Sequence, residues 1–178
     1  METWIERHEV FRGPIFTVYT GQARLADGQT ARRDMVAHRG GVGVVALHAD
    51  KVLLVQQFRL AGGATFEEIP AGLREPDEAA ATCAARELAE ELGYAAGRLL
   101  PLATYCTSPG FTDEVTTIFL ALDLTPTTAT PDWDERLLPV ELPLVDVAAS
   151  LATGRFVDGK TLVGLYALLA WLARRGNV

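Results

Sequence analysis

At 178 residues the chain is long enough for one domain with a sizeable core, and with 49% apolar residues and no low-complexity tract it should fold. Its formal charge of −7 argues against non-specific nucleic-acid binding, and no run approaches the roughly 18 consecutive apolar residues of a membrane span. The opening METWIERHEV has no apolar signal core and Cys83 and Cys106 have no CxxC partner, so the simple reading is two buried, reduced thiols in a cytoplasmic protein.

The first forty residues read as β-strands. Phe16-Thr17-Val18-Tyr19 is β-prone, Ala26-Asp27-Gly28 reads as a hairpin turn, and Arg32 to Ala37 returns as a second strand. Arg32, Arg33, His38 and Arg39 make this the most basic part of an acidic protein: a charged edge strand, or a phosphate contact. Gly43 to Leu47 and Lys51 to Val55 are apolar strands split by the turn His48-Ala49-Asp50, and such runs suit burial on both faces. The second continues to Arg59, at a strand end just before Gly62 and Gly63. His48 has no partner at ligand spacing and is expected at the surface.

The stretch GLREPDEAAATCAARELAEELGY, Gly72 to Tyr94, organises the chain. Pro76 and Asp77 supply turn and cap chemistry before a helix over about Glu78 to Leu92, and Gly93 stands where a left-handed C-cap belongs. Helical spacing puts Ala81, Ala84, Ala85, Leu88 and Leu92 on one apolar stripe, with Glu87, Glu90 and Glu91 on a neighbouring arc. Like charges at this spacing destabilise a helix by roughly 0.2–0.5 kcal/mol per pair. These also sit toward the C-terminus, the wrong end for the macrodipole. A sequence tolerates that more readily when a cation binds there, and hard oxygen ligands without Cys or His suit Mg²⁺ or Mn²⁺ rather than zinc. The bland alternative is a solvated Glu-rich face.

Beyond the helix, Leu100 to Tyr105 reads as a strand that runs into the loop Cys106 to Glu114, with its Pro-Gly turn and two acids. Val115 to Leu122 is another strand, followed by a polar loop from Thr125 to Pro131 with Asp132, Asp134 and Glu135 behind it. Val140 to Leu144 returns to sheet, and helices follow over about Val145–Ala152 and Thr161–Arg174. A mixed sheet with helices on its faces fits this irregular alternation. Gly154, four residues, then Gly159-Lys160-Thr161 spells a phosphate loop. The segment before it looks helical and only 17 residues follow Thr161, so Gly154 is better read as a helix stop and Asp158 as a cap.

About nine positions over the 23 residues from Gly72 to Tyr94 resemble the Nudix box: Gly72, Glu78, Arg86-Glu87, Leu88, Glu90-Glu91, Gly93 and Tyr94, the last aromatic where an aliphatic residue is usual. Glu68-Ile69-Pro70-Ala71-Gly72, Ser108 to Glu114, and Glu141 to Leu144 followed by Lys160-Thr161-Leu162 are similar to the ADP-ribose pyrophosphatase branch of the Nudix hydrolases. The resemblance implies an α/β fold, an α/β/α sandwich with a mixed sheet spanning residues 41–178. It also implies N-terminal antiparallel strands in residues 1–40 that form a homodimer by exchange.

It further implies that Glu87, Glu90 and Glu91, with the Ala71 carbonyl, ligate two or three Mg²⁺ ions, with Mn²⁺ an alternative, and that Arg86 orients a box carboxylate. Glu135 falls where the branch carries a base, though Asp132 or Asp134 could serve instead. Arg33 and Arg59 fall where arginines grip the diphosphate, Glu114 where a residue reaches the substrate or the dimer mate, and Glu68 joins the substrate-binding set. Phe111 and Trp133 could stack on a ring, or belong to the core.

The implied reaction is hydrolysis of ADP-ribose to AMP and ribose 5-phosphate by metal-activated water. Alternatives are another nucleoside diphosphate sugar, a dinucleotide such as FAD or NADH, and a non-catalytic nucleotide-sensing module on the same fold.

Overall fold

The computed structural model describes residues 1–129 and 136–176, which form two compact units: Met1–Gly40 with Cys106–Val115, and Gly41–Tyr105 with Thr116–Val178. In the first unit, β1 (Thr3–Arg12), β2 (Phe16–Arg24) and β3 (Thr30–His38) form an antiparallel meander in that order. The expected Asp27-Gly28 turn joins β2 to β3: Gly28 takes φ +86°, Gln29 donates its N–H to Asp27 Oδ1 at 3.0 Å, and Leu25 donates to the Gln29 carbonyl at 2.8 Å. The Cys106–Glu114 loop pairs with β3, since Val36 donates its N–H to the Phe111 carbonyl at 2.7 Å and Asp113 Oδ1 accepts from His38 N at 2.8 Å. This unit exposes Ile5, Val10, Phe11, Ile15 and Phe16.

The second unit is built on a mixed seven-stranded sheet. Its strands are β4 (Gly41–His48), β5 (Lys51–Arg59), β6 (Ala64–Glu68), β7 (Ala71–Leu73), β8 (Tyr94–Cys106), β9 (Val115–Pro126) and β10 (Leu138–Pro143). Five run in the order β10-β5-β4-β9-β8, with β6 paired to β5 and β7 to β4. The β4–β9 pair is parallel, and β4–β5 and β5–β10 are antiparallel.

Alternation along each central strand sends neighbouring side chains to opposite faces, and both faces are buried. Val45, Val52, Leu54, Ile118 and Leu120 pack against Leu165, Leu168 and Leu172 of α3 (Gly159–Arg174), with Val147 and Leu151 of α2 (Val147–Ala152) in the same cluster. Val44, Ala46, Leu53, Phe119 and Ala121 pack against Cys83, Ala84 and Leu88 of α1 (Ala80–Leu92). This is the expected helix–sheet–helix sandwich, and among the described residues no helix is long and apolar enough to cross a membrane.

Several local expectations are corrected. The first helix starts at Ala80, not Glu78, and its N-cap Ala79 makes no side-chain cap. Asp77 instead turns the chain with φ +62°. Gly93 is the left-handed C-cap, as its position required. The buried face of α1 is Cys83, Ala84, Glu87, Leu88 and Glu91, while Ala81 and Ala85 are exposed, so the true stripe is rotated toward the acids. Cys83 is buried but Cys106 is exposed, against the reading of two buried thiols. His48 is half-buried rather than exposed, with its ring 5.2 Å from that of Tyr94.

The phosphate-loop spelling is a helix stop and a cap, in keeping with the residues around it. Gly154 takes φ +72° after α2, and Asp158 Oδ2 accepts the Thr161 N–H at 2.9 Å. On the sheet-facing side of α3, Gly164 lets the helix approach closely: an added Cβ would lie 3.0 Å from both Ile69 Cδ1 and Val45 Cγ2. Gly164→Val should therefore overpack this interface and destabilise by about 1–3 kcal/mol. Urea unfolding checks this, and an unchanged midpoint counts against the close approach.

Candidate active site

The acids of α1 come to lie against β7 because the loop between them is short and α1 packs on the sheet. Glu87 and Glu91 are 7% and 6% exposed, so two carboxylates are nearly desolvated on one helix face, an arrangement that needs compensating partners. Gly72 supplies room for one of them. A Cβ at this position would collide with the Glu87 carboxylate, so only glycine leaves that space open. Ala71 supplies a donor for the other, its N–H pointing at Glu91 Oε2 at 3.3 Å.

Arg86 supplies the charge. Its Nη1 lies 2.7 Å from Glu87 Oε1 and donates to Glu90 Oε2 at 2.9 Å. Its Nε and Nη2 donate to the Glu78 carboxylate at 3.2 and 3.3 Å, and Nη2 also reaches the Leu73 carbonyl at 3.2 Å. One guanidinium thus ties the loop after β7 to the acidic face. The hydrogen bond from Arg86 and one from the Glu75 backbone hold the Glu78 carboxyl down at about 2. The Arg86 guanidinium is in turn pushed further up by Glu78, and Arg74 steadies the loop by donating to the Glu78 carbonyl at 2.6 and 3.0 Å. Burial pushes the neighbouring Cys83 thiol up to about 12, which keeps it protonated and unreactive.

A second buried acid lies at the end of β6. Glu68 is 2% exposed and accepts a bidentate pair from Arg59 Nε and Nη2 at 2.9 and 2.6 Å, with Lys160 Nζ also paired to it. Burial pushes the Glu68 carboxyl up, but Arg59 and Lys160 together outweigh that and hold it below its ordinary value.

The expected site residues therefore fall into distinct groups. Ala71, Arg86, Glu87, Glu90 and Glu91 are brought together, and so are Arg59 and Glu68. Among the described residues no three His, Cys, Asp or Glu side chains surround one centre, and Arg86 pairs with two of the three α1 acids. The donors nevertheless fit a hard divalent cation, since they are carboxylate oxygens, two nearly buried, over a glycine cradle.

Arg33, Phe111 and Glu114 belong to the first unit. Arg33 is held by Glu2 at 2.8 and 2.9 Å and, with Phe111 and Trp4, lines a cavity of about 350 Å³. Glu114 accepts from Thr107 Oγ1 at 2.7 Å and lies 3.5 Å from His38 Nδ1. Asp132, Trp133, Asp134 and Glu135 lie outside the described residues. Sequence reasoning missed Lys160 as the second cation on Glu68. The GKT spelling pointed elsewhere, and the likeness of Lys160-Thr161-Leu162 to the ADP-ribose pyrophosphatase branch gave the lysine no role.

The Nudix domain family model matches residues 37–160. The chain belongs to the Nudix family. A Bacillus subtilis (strain 168) protein named ADP-ribose pyrophosphatase is 35% identical over 163 residues, 90% of this chain and 88% of that protein. A Bacillus methanolicus protein named methanol dehydrogenase activator is 33% identical over 167 residues, 92% of this chain and 90% of that protein. A crystal structure described as an ADP compounds hydrolase superposes with a TM-score of 0.89 at 25% identity, covering 99% of this chain and 97% of that one. The Nudix assignment accounts for a helix that buries acids a purely structural helix would expose.

Two properties of this Nudix helix can be measured directly. Gly72→Ala should displace the Glu87 carboxylate and, if the α1 acids hold a divalent cation, weaken Mn²⁺ binding about 10- to 100-fold, as loss of a ligand's support typically does. Calorimetric titration of the free protein reads this, and unaltered affinity would exclude the cradle. The folded value of Glu78 lies below its ordinary 4.5, so its pairing stabilises above about pH 4.5 and that contribution is lost as pH falls toward 2. Glu78→Gln should thus lower the urea midpoint at pH 7, with the difference from the parent shrinking steadily from pH 5 to about pH 2.

Proposed function

We propose that this chain hydrolyses the diphosphate of ADP-ribose to AMP and ribose 5-phosphate with Mg²⁺ or Mn²⁺ bound at α1. The observation that carries the reading is the pair of nearly buried carboxylates, Glu87 and Glu91, seated against Gly72 and Ala71. Such burial is costly for a helix that only packs, and it is useful for one that must hold cations. The pyrophosphatase name of the B. subtilis relative supports the substrate.

In this reading Glu87, Glu90 and Glu91, with the Ala71 carbonyl, hold two or three ions. Bound there, the ions offset the charge of the diphosphate and lower the pKa of a water. The chain's own residues do the rest. Arg86 keeps Glu87 and Glu90 in register and screens their repulsion. Arg59, fixed by Glu68, offers the rest of its half-exposed guanidinium to a phosphate. Arginine suits this because its planar fork matches phosphate oxygens. Glu135 is the proposed acceptor, on its carboxylate, of the proton leaving the attacking water, with Asp132 and Asp134 as substitutes. For the first unit, Arg33, Phe111 and Glu114 are the proposed substrate contacts. Water adds at phosphorus, the bridging P–O bond breaks, and the leaving phosphate departs.

We further propose a homodimer formed through the N-terminal strands, which the exposed Ile5, Val10, Phe11, Ile15 and Phe16 support. A cytoplasmic location is in keeping with two free cysteines. A second reading keeps the chemistry and changes the substrate to another nucleoside diphosphate sugar or a dinucleotide. A relative of comparable identity carries an activator's name, so the substrate must be measured rather than inherited.

A turnover panel of ADP-ribose, other nucleoside diphosphate sugars, FAD and NADH with Mg²⁺ or Mn²⁺, products identified, decides between these. ADP-ribose should give the highest kcat/KM, with AMP and ribose 5-phosphate as products. Glu90→Gln and Glu91→Gln should each lower kcat by about 100-fold or more while far-UV circular dichroism stays as in the parent. Parental rates in both variants would refute the ligand assignment.

A further inference from the structure

The turn that opens α3, Asp158-Gly159-Lys160-Thr161, has no part in the proposed hydrolysis as far as it has been assigned to residues. Its hydrogen bonds point back into the protein. Asp158 Oδ2 accepts the N–H of Thr161 at 2.9 Å and its Oγ1–H at 2.6 Å. The oriented Thr161 Oγ1 then accepts the N–H of Ile69 at 3.0 Å, across 92 positions of sequence. Thr161 is fully buried. Beside it, Lys160 Nζ is paired with Glu68 and lies 3.1 Å from Asp158 Oδ1. Two consecutive residues of α3 therefore hold two consecutive residues of the segment that leads into the acidic site.

The three residues after Ile69 carry that hold into the site. Pro70 has a fixed φ and its carbonyl accepts Val44 N–H at 2.8 Å, so the segment is stiff. Next come Ala71, whose N–H faces Glu91, and Gly72, on which Glu87 rests. A shift at Ile69 is passed along these residues to both buried carboxylates. A shift at Glu68 is passed to Arg59 through their bidentate pair.

We propose that Thr161 and Lys160 are positioning residues for the ADP-ribose hydrolysis, a proposal that rests on that reading of the site. Thr161 sets Ala71 and Gly72 against Glu91 and Glu87. Lys160 sets Glu68, and through it Arg59. The two roles are separable, because one acts on the acids of α1 and the other on the arginine. The hydroxyl matters in the first because it donates and accepts at once, which neither the methyl group of threonine nor valine can do. The charge matters in the second because Glu68 is buried and keeps Arg59 alone when Lys160 is neutralised.

Thr161→Val, Thr161→Ser, Lys160→Met and Lys160→Arg are compared with the parent by three measurements. These are kcat and KM for ADP-ribose, Mn²⁺ titration of the free protein by calorimetry, and hydrogen exchange at the Ile69 amide. Thr161→Val should speed exchange at Ile69, raise the Mn²⁺ Kd about tenfold and lower kcat about tenfold, while Thr161→Ser stays within about threefold of the parent. Lys160→Met should raise KM about tenfold with kcat within about twofold and Mn²⁺ affinity unchanged, and Lys160→Arg should recover most of the loss.

Unchanged Mn²⁺ affinity and kcat in Thr161→Val, or a serine variant as impaired as valine, overturns the first role. A fall in kcat with KM unmoved in Lys160→Met overturns the second. Should Thr161→Val fail to fold, Asp158→Asn replaces it, since it weakens the bond that orients the hydroxyl, with the same expected signs for Ile69 exchange, Mn²⁺ Kd and kcat; because Asp158 also pairs with Lys160, its KM is read against that of Lys160→Met. A parent that cleaves no diphosphate, while Thr161→Val still weakens Mn²⁺ binding, overturns the hydrolase reading and supports the positioning role. An active parent with silent variants does the reverse.

Discussion

The constraint on which the second unit depends is the burial of negative charge on one face of α1. Glu87 and Glu91 are removed from water on a helix that also carries Glu90, and carboxylates in that setting repel one another and lose solvation. The surrounding residues answer each cost separately. Gly72 gives Glu87 space, the Ala71 N–H gives Glu91 a donor, and Arg86 places a positive charge between Glu87 and Glu90. Because Arg86 also grips Glu78 and the Leu73 carbonyl, the charge balance and the path of the loop into the helix are one arrangement. Removing the guanidinium would release both.

The same logic recurs at Glu68, where a carboxylate only 2% exposed is matched by Arg59 and Lys160. Between the two acidic sites runs the segment from Glu68 to Gly72. It is held by α3 at one end, by β4 through Pro70 and β7 in the middle, and by α1 at the other. The two helix layers of the sandwich, on opposite faces of the sheet, thus meet through five residues of backbone. That is a stiff platform for a cluster of charges, and stiffness is what a site working by position and electrostatics requires.

Particular residues show where local reading succeeds and where it stops. The central strands and the Gly93 cap were legible because apolar β-prone runs and left-handed geometry are short-range properties, whereas the short β6 and β7 were not read as strands. The phase of α1 was misjudged: alanines at 81 and 85 counted as apolar, yet they contribute little burial, whereas Cys83 and two glutamates took the inner face. Polarity patterns assume that charge faces water, and here the chemistry of the site reverses that assumption. Cys106 was misplaced for a related reason, since a thiol at the end of a strand is buried or exposed according to what covers it, and no local pattern reports that.

By itself, the sequence determined the central strands, the three helices, the family, and the identity of the acids on one helix, because these depend on spacing within a few turns of chain; the short strands β6 and β7 were not legible in it. Only the tertiary structure decided which of those acids are buried and which cations face them. The pairing of Lys160 with Glu68 and of Thr161 with Ile69 joins residues 92 positions apart. Such contacts arise when helices close on the two faces of a shared sheet, and the free energy that selects them comes from burying those faces, which no short stretch of residues contains.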